Sequence, residues 1–190
     1  MKKTLPAKKV LGVIGRIGAG KDTVSDYVAK KYGYDIVSFR DAVREVTEKE
    51  GLEPNRENMQ KTGKKYREKY GSEYFTKLVM DKVMHSKNDK IIVKEMRTEG
   101  DVNLIKENFG KSMKIIQVKA PKQSRFERLK KRGRLGDPKT LDEFDAQEQR
   151  EEELGYTKAL EFTEHEIENN GTFDELYKRT DALLKSMGFS

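Results

Sequence analysis

The segment Gly15 to Thr23, GRIGAGKDT, constrains the fold more than any other stretch of the chain. It matches the template G-x-x-x-x-G-K-[ST] at Gly15, Gly20 and Lys21, follows the apolar run Val10-Leu11-Gly12-Val13-Ile14 and opens the amphipathic run Thr23 to Val28. A strand, glycine-rich loop and helix in this order suit an anion. Successive backbone N–H groups must point inward, which requires conformations that glycine reaches without steric cost, here Gly15, Gly18 and Gly20 with Ile17 and Ala19 among them. The helix N-terminus adds partial positive charge, and the Lys21 ammonium can neutralise oxygens of a β- and γ-phosphate. The chain is therefore expected to bind a nucleoside triphosphate.

One position departs from the template. The residue after the lysine is Asp22, and the hydroxyl comes only at Thr23. A carboxylate can bind Mg²⁺ directly or through water because the ion prefers hard oxygens, so Asp22 is the expected metal ligand and Thr23 a donor to the α-phosphate. Alternatively, Asp22 is a first-turn acid that only complements the helix dipole.

Apolar periodicity extends this unit into a longer α/β pattern. A strand at about Lys9 to Ile14, a helix at about Gly20 to Lys31 and a strand at Asp35 to Phe39 form one βαβ unit. A polar helical stretch runs from Asp41 to about Ser86, broken near Gly51 to Asn55 and at Tyr70-Gly71, before a strand at Lys90 to Val93. A helix around Asp101 to Asn108, a strand at Lys114 to Val118 and helices on either side of the loop Gly133 to Thr140 follow. A short extended segment at His165 to Glu168 and the turn Asn169-Asn170-Gly171 lead to a last helix. Thr172 can cap it, and Leu176, Leu183 and Leu184 mark its inner face as far as about Met187. Strands alternating with helices imply a mostly parallel sheet covered on both faces.

Composition removes several alternatives. The length of 190 residues suits one domain, and no run approaches the roughly 20 apolar residues that span a bilayer. The start MKKTLPAKKV lacks the apolar region of a secretory leader, so the expected compartment is the cytoplasm, with no membrane partner. The chain has no cysteine and two histidines, His85 and His165, which excludes thiolate zinc and histidine-rich sites and leaves oxygen ligands for any metal. The net charge of +7 suits a polyanion, yet most of it alternates with acid, as in Lys64-Lys65-Tyr66-Arg67-Glu68-Lys69. Arg125 to Arg134 is the exception, a basic cluster with the single acid Glu127. A solvated basic helix or a nucleic-acid patch are the alternatives for it, the latter the weaker.

With its loop reading GKDT, the chain resembles the P-loop nucleotide kinases, particularly the branch that includes deoxynucleoside monophosphate kinases. It is also similar to dephospho-CoA kinases and archaeal adenylate-kinase-related proteins. Ser38 to Glu45, SFRDAVRE, is similar to the segment where these kinases begin their acceptor-binding insertion, which implies that Asp41 and Arg44 face the acceptor. Asn55 to Gln60, NRENMQ, and Tyr66-Arg67 look like the family's R-E-x-x-Q and L-R elements, implying acceptor roles for Arg56, Gln60 and Arg67. An arginine fork can grip two phosphate oxygens. Ile91 to Arg97, IIVKEMR, resembles a strand that ends in D-G-x-R; the alignment makes Arg97 an acceptor-phosphate candidate and puts Lys94 where relatives carry aspartate. Either Glu95, one residue along, takes over or the activity is altered; alternation puts Glu95 on the other side of an extended strand, so taking over needs a local twist or bulge.

Ser124 to Asp137 is similar to the arginine-rich lid of these kinases, which implies that Arg128, Arg132 and Arg134 act with Lys21 on the migrating phosphoryl group. Helical spacing puts Arg125, Arg128 and Arg132 on one face, and Gly133 and Gly136 give the lid freedom. Glu168 to Thr172, ENNGT, resembles a turn of dephospho-CoA kinases that lies near the donor base, here Asn170 and Gly171; a plain turn and helix cap accounts for the same residues.

These readings set an expectation of one P-loop kinase domain over 1–190, a three-layer α/β/α fold with five parallel strands ordered 2-3-1-4-5. Its core would take about 8–40, 89–120 and 155–190, an acceptor insertion about 41–88 and a lid about 121–154. The expected reaction moves the γ-phosphoryl of ATP, as its Mg²⁺ complex, to a nucleotide-like acceptor, foremost a nucleoside or deoxynucleoside monophosphate. Dephospho-CoA is the alternative acceptor. The alternative class is an NTP-binding or slow NTPase module that works through a protein or RNA partner.

Overall fold

The short apolar runs become five strands among the described residues: β1 Lys9–Ile14, β2 Asp35–Ser38, β3 Lys90–Lys94, β4 Met113–Lys119 and β5 His165–Glu168. All pair in parallel in the order β2-β3-β1-β4-β5, as expected. Parallel neighbours need crossovers, and helices supply them. They are α1 Lys21–Tyr32, α2 Phe39–Lys49, α3 Arg56–Tyr70, α4 Tyr74–His85, α5 Glu99–Phe109, α6 Lys122–Arg132, α7 Leu141–Glu153, α8 Tyr156–Leu160 and α9 Phe173–Met187. This computed structural model describes residues 8–134 and 136–190; the first seven residues, on which the leader reading partly rests, and Leu135 of the lid stretch lie outside the described residues.

Alternation along the strands builds two cores. Val10, Ile14, Ile91, Val93, Met113 and Ile115 face a layer that includes Val46 of α2, Phe75 and Val79 of α4 and Ile105 of α5. Leu11, Val13, Ile92, Ile116 and Val118 face the other layer, with Val24 and Val28 of α1 and Leu176 and Leu184 of α9. Both faces of the central strands are covered, which is why their sequences read as nearly continuous apolar runs. Each fully buried Ile or Val contributes roughly 1.5–3 kcal/mol. A third cluster, Phe126, Leu129 and Phe144 with Ile17 against it, fastens α6 and α7 to the loop after β1.

Two local expectations change. Phe39 does not end β2 but starts α2, because Ser38 caps that helix, its Oγ accepting from the Asp41 N–H at 3.0 Å and donating to Asp41 Oδ2 at 2.7 Å. The capping geometry outweighs the apolar continuation of the strand. The short helix α8 was not separately expected; Gly155, in a left-handed conformation, precedes it. The breaks near 51–55 and at 70–71 fall where expected, with Asn55 capping α3. The closing helix is capped by Thr172 with a reciprocal contact from Glu175. Among the described residues no helix is long and apolar enough to cross a membrane.

Candidate phosphate-binding site

Because the strands are parallel, β1, β3 and β4 deliver their carboxyl ends to one edge of the sheet, where ligands of open α/β sheets bind. Gly15 to Gly20 lie there between β1 and α1. Gly18 has φ 76, and a Cβ built on it would stand 2.6 Å from the Arg125 carbonyl oxygen. Only glycine meets both demands. Gly18→Ala is therefore expected to cost about 2 kcal/mol and to lower the Tm by roughly 4–8 °C, measured by thermal denaturation. An unchanged Tm would show that the loop does not hold this geometry.

The loop is fixed from several sides. Tyr156 of α8 accepts from the Gly15 N–H at 2.9 Å and donates its hydroxyl to the Gly15 carbonyl at 2.6 Å. Burial pushes the Tyr156 pKa up to about 12, so the group stays a neutral donor and acceptor. The Lys21 ammonium donates to the Arg16 carbonyl at 3.3 Å. Burial lowers the Lys21 pKa, and the charges of Glu151 and Asp22 offset only part of that. Glu151 also has a buried Oε2 without a hydrogen-bond partner. Neither Tyr156 nor Glu151 was singled out in the sequence, where both stand in an unremarkable stretch after a Glu-rich helix.

Of the basic cluster, Arg125 and Arg128 reach the loop. Arg125 donates to the Ile17 carbonyl at 3.2 Å and bidentately to Glu148 of α7 at 2.6 and 2.9 Å. Arg128 donates to the Ala19 carbonyl at 3.5 Å and the Asn169 carbonyl at 2.8 Å. Arg132 instead grips Asp137 with two bonds, at 2.8 and 2.5 Å, and the Arg134 side chain is exposed. In the turn after β5, buried Asn169 bonds the Ala19 carbonyl at 2.8 Å, whereas Asn170 is exposed and accepts from Arg179. The residue that ties this turn to the loop is thus Asn169, one position before Asn170.

The acidic side of the site differs from the template. The Lys94 ammonium lies 2.6 Å from Asp22 Oδ1. Burial works to raise the Asp22 pKa, but the hydrogen bond and charge of Lys94, with Lys21 and Arg40, outweigh it and hold the carboxyl below its ordinary value. Glu95 does not continue the strand alternation; its φ of 66 is left-handed and its carboxylate meets the Arg40 N–H at 3.1 Å and guanidinium at 2.9 Å. Among the described residues no group of three or more His, Cys, Asp or Glu could hold a metal. Asp22, the expected Mg²⁺ ligand, already has the Lys94 ammonium against its Oδ1, so a divalent cation there would compete with that ammonium.

The remaining acceptor candidates are spread over several elements. Asp41 and Arg44 pair with each other at 2.9 Å and line a cleft of about 450 Å³ along α2 with Glu45, Glu48 and Lys82. Three carboxylates against two cations is a poor balance for a phosphate. Arg56 is exposed and donates to the Gly136 carbonyl at 3.3 Å, Gln60 is exposed, and Arg67 stacks its guanidinium 5.1 Å over the Phe75 ring. Arg97 lies close enough for its charge to act on both Lys21 and Arg67.

A parallel sheet of this order with a glycine loop and lysine after its first strand defines a P-loop NTPase. The sequence model described as an AAA domain matches residues 14–145. The chain belongs to that P-loop family and, more narrowly, to the UPF0200 proteins: it is 31% identical over 178 residues to the UPF0200 protein of Thermococcus gammatolerans, covering 92% of this chain and 93% of the relative. Against the UPF0200 protein of Methanocaldococcus jannaschii it is 32% identical over 180 residues, covering 94% and 90%. The UPF0200/UPF0201 protein of Archaeoglobus fulgidus is 30% identical over 178 residues, 93% of this chain but 55% of that longer protein. In fold the chain is similar to TT1252 from Thermus thermophilus, with a TM-score of 0.63, 19% identity and coverage of 94% and 97%. It is also similar to shikimate kinase from Bacteroides thetaiotaomicron, with a TM-score of 0.59, 14% identity and coverage of 94% and 98%.

Proposed function

We propose that the chain is an ATP-dependent phosphotransferase acting on a small nucleotide, foremost a nucleoside or deoxynucleoside monophosphate. The observation that carries this reading is the meeting, at one sheet edge, of the glycine loop and Lys21 with Arg128 from α6 and Arg97 after β3. Phosphoryl transfer spreads negative charge over the migrating group, and positioned cations supply most of the catalysis. Lys21 and Arg128 serve the donor phosphates. Arg97, with Arg56, Gln60 and Arg67 from the helical segment 41–88, serves the acceptor. Arg132 and Arg134 join the migrating group when the segment 121–154 closes, and that segment already adjoins α3 through Arg56 and Gly136. A cleft of about 720 Å³ beside Thr23, lined by Tyr27, Phe173 and Tyr177, offers flat rings to the donor base just after Asn170 and Gly171. A cytoplasmic location belongs to the same proposal.

Asp22 and Glu95 are each engaged by a cation of the chain, Lys94 and Arg40. That favours an anionic phosphate acceptor, which needs no strong base, over the hydroxyl of dephospho-CoA. Glu151, with its unpartnered oxygen, is the observation that favours a hydroxyl acceptor. A coupled assay that presents ATP with a panel of nucleoside and deoxynucleoside monophosphates, dephospho-CoA and shikimate separates these readings. Turnover that requires a monophosphate is expected. Turnover at the same rate without any acceptor would refute the kinase reading in favour of an NTPase module.

A further inference from the structure

We infer that the Lys94 ammonium takes the place of the divalent cation at the phosphate loop, so that the chain binds a nucleoside triphosphate without Mg²⁺. The inference rests on the reading of Gly15 to Thr23 as a triphosphate site. Its first ground is position. Lys94 ends β3, in register with Val13 of β1, and its Nζ lies 2.6 Å from the carboxylate of Asp22, which follows the loop lysine where the template carries a metal-binding hydroxyl. The ammonium is therefore delivered from the strand beside the loop to the place from which a cation would bridge protein and phosphates.

Burial is the second ground. The Lys94 side chain is 14% exposed, so its charge is little screened, and a divalent ion would have to displace it or sit against it. The third is the state of the next carboxylate. Glu95 takes a left-handed backbone and is held by the Arg40 N–H and guanidinium, an arrangement that persists only where the surroundings over-determine it. Both acids that could hold a hard cation are thus matched by cations of the chain itself. An ammonium has three donors: one spent on Asp22 leaves two for phosphate oxygens. Lys21, whose charge also acts on Asp22, supplies a second ammonium at the same loop.

Calorimetric titration of the whole chain with ATP, in excess EDTA and in saturating Mg²⁺, tests the inference. The wild-type Kd is expected to differ by less than about threefold between the two buffers. Lys94→Asp, which puts two carboxylates beside the triphosphate, is expected to bind at least about tenfold more weakly in EDTA and to recover in Mg²⁺. A wild-type Kd that rises more than about threefold when Mg²⁺ is removed overturns the inference, and this comparison decides it even if Lys94→Asp does not fold. Equal sensitivity of Lys94→Asp and wild type to EDTA overturns it as well. A wild-type chain that binds ATP in neither buffer overturns the triphosphate-site reading itself.

Discussion

Lys21→Ala is expected to lower kcat/KM for phosphoryl transfer by at least about a hundredfold while leaving the fold intact. The expectation follows from where the ammonium sits. It opens α1 and donates to the Arg16 carbonyl on the rim of the loop whose backbone N–H groups would gather around an anion. Burial already disfavours its charge, and Glu151 and Asp22 restore only part of what is lost, so the ammonium is best satisfied by a polyanion in the loop. Truncation removes that counter-charge from the transferring group. It also removes a buried charge from the protein, so the Tm should stay within about 2 °C of wild type or rise. Calorimetry and the coupled assay together make the test: lost binding and turnover at an unchanged Tm locate the effect in phosphate handling. A variant with full activity would refute the placement of the site at Lys21.

The fold was largely legible because it depends on patterns that tertiary contacts reinforce. Apolar runs such as Ile91-Ile92-Val93 can be covered on both faces only in a parallel sheet, and the glycines of the loop mark the first strand and the first helix. The phosphate loop was legible for the same reason, since its spacing is dictated by backbone geometry. Partnerships between distant charged side chains were not. Nothing in the spacing of Asp22 and Lys94 announces that they meet, because 71 intervening residues return through three helices before β3 brings the lysine alongside β1. Glu95 was read by strand alternation, and a left-handed residue breaks that rule without leaving a glycine as its signal. Asn169 was passed over for Asn170 because both satisfy a turn, and only the position of β5 beside β4 decides which one is buried against Ala19.

Arg125 exemplifies the same limit, and its replacement has the largest expected effect on stability. Read along its helix, it is one of several lid arginines with a free charge. In the fold it is 5% exposed, bonded to Glu148 by two parallel contacts, to the Ile17 and Ala120 carbonyls by one each, and stacked 5.2 Å from the centre of the Phe144 ring. Among the described residues, Arg125→Ala leaves the half-buried Glu148 carboxylate with only the 3.9 Å contact from Arg16 and strips the Ile17 carbonyl of its side-chain donor. Breaking a buried pair by removing one partner costs about 3 kcal/mol or more, which for a chain of this length lowers the Tm by roughly 6–12 °C. The double variant Arg125→Met, Glu148→Leu should recover most of that loss, because apolar groups of similar volume carry no unpaired charge. Turnover should not recover with it. Arg125 bonds a loop carbonyl and α7 at once, so the repacked variant is expected to keep the fold while raising KM for ATP, as the Ile17 carbonyl loses its tie to α6 and only the Arg128 contact at Ala19 remains among the described side-chain bonds from α6 to the loop. Denaturation and kinetics on the single and double variants check both halves. A double variant that regains wild-type KM along with its Tm would show that the pair holds α6 and α7 together and does nothing for the loop.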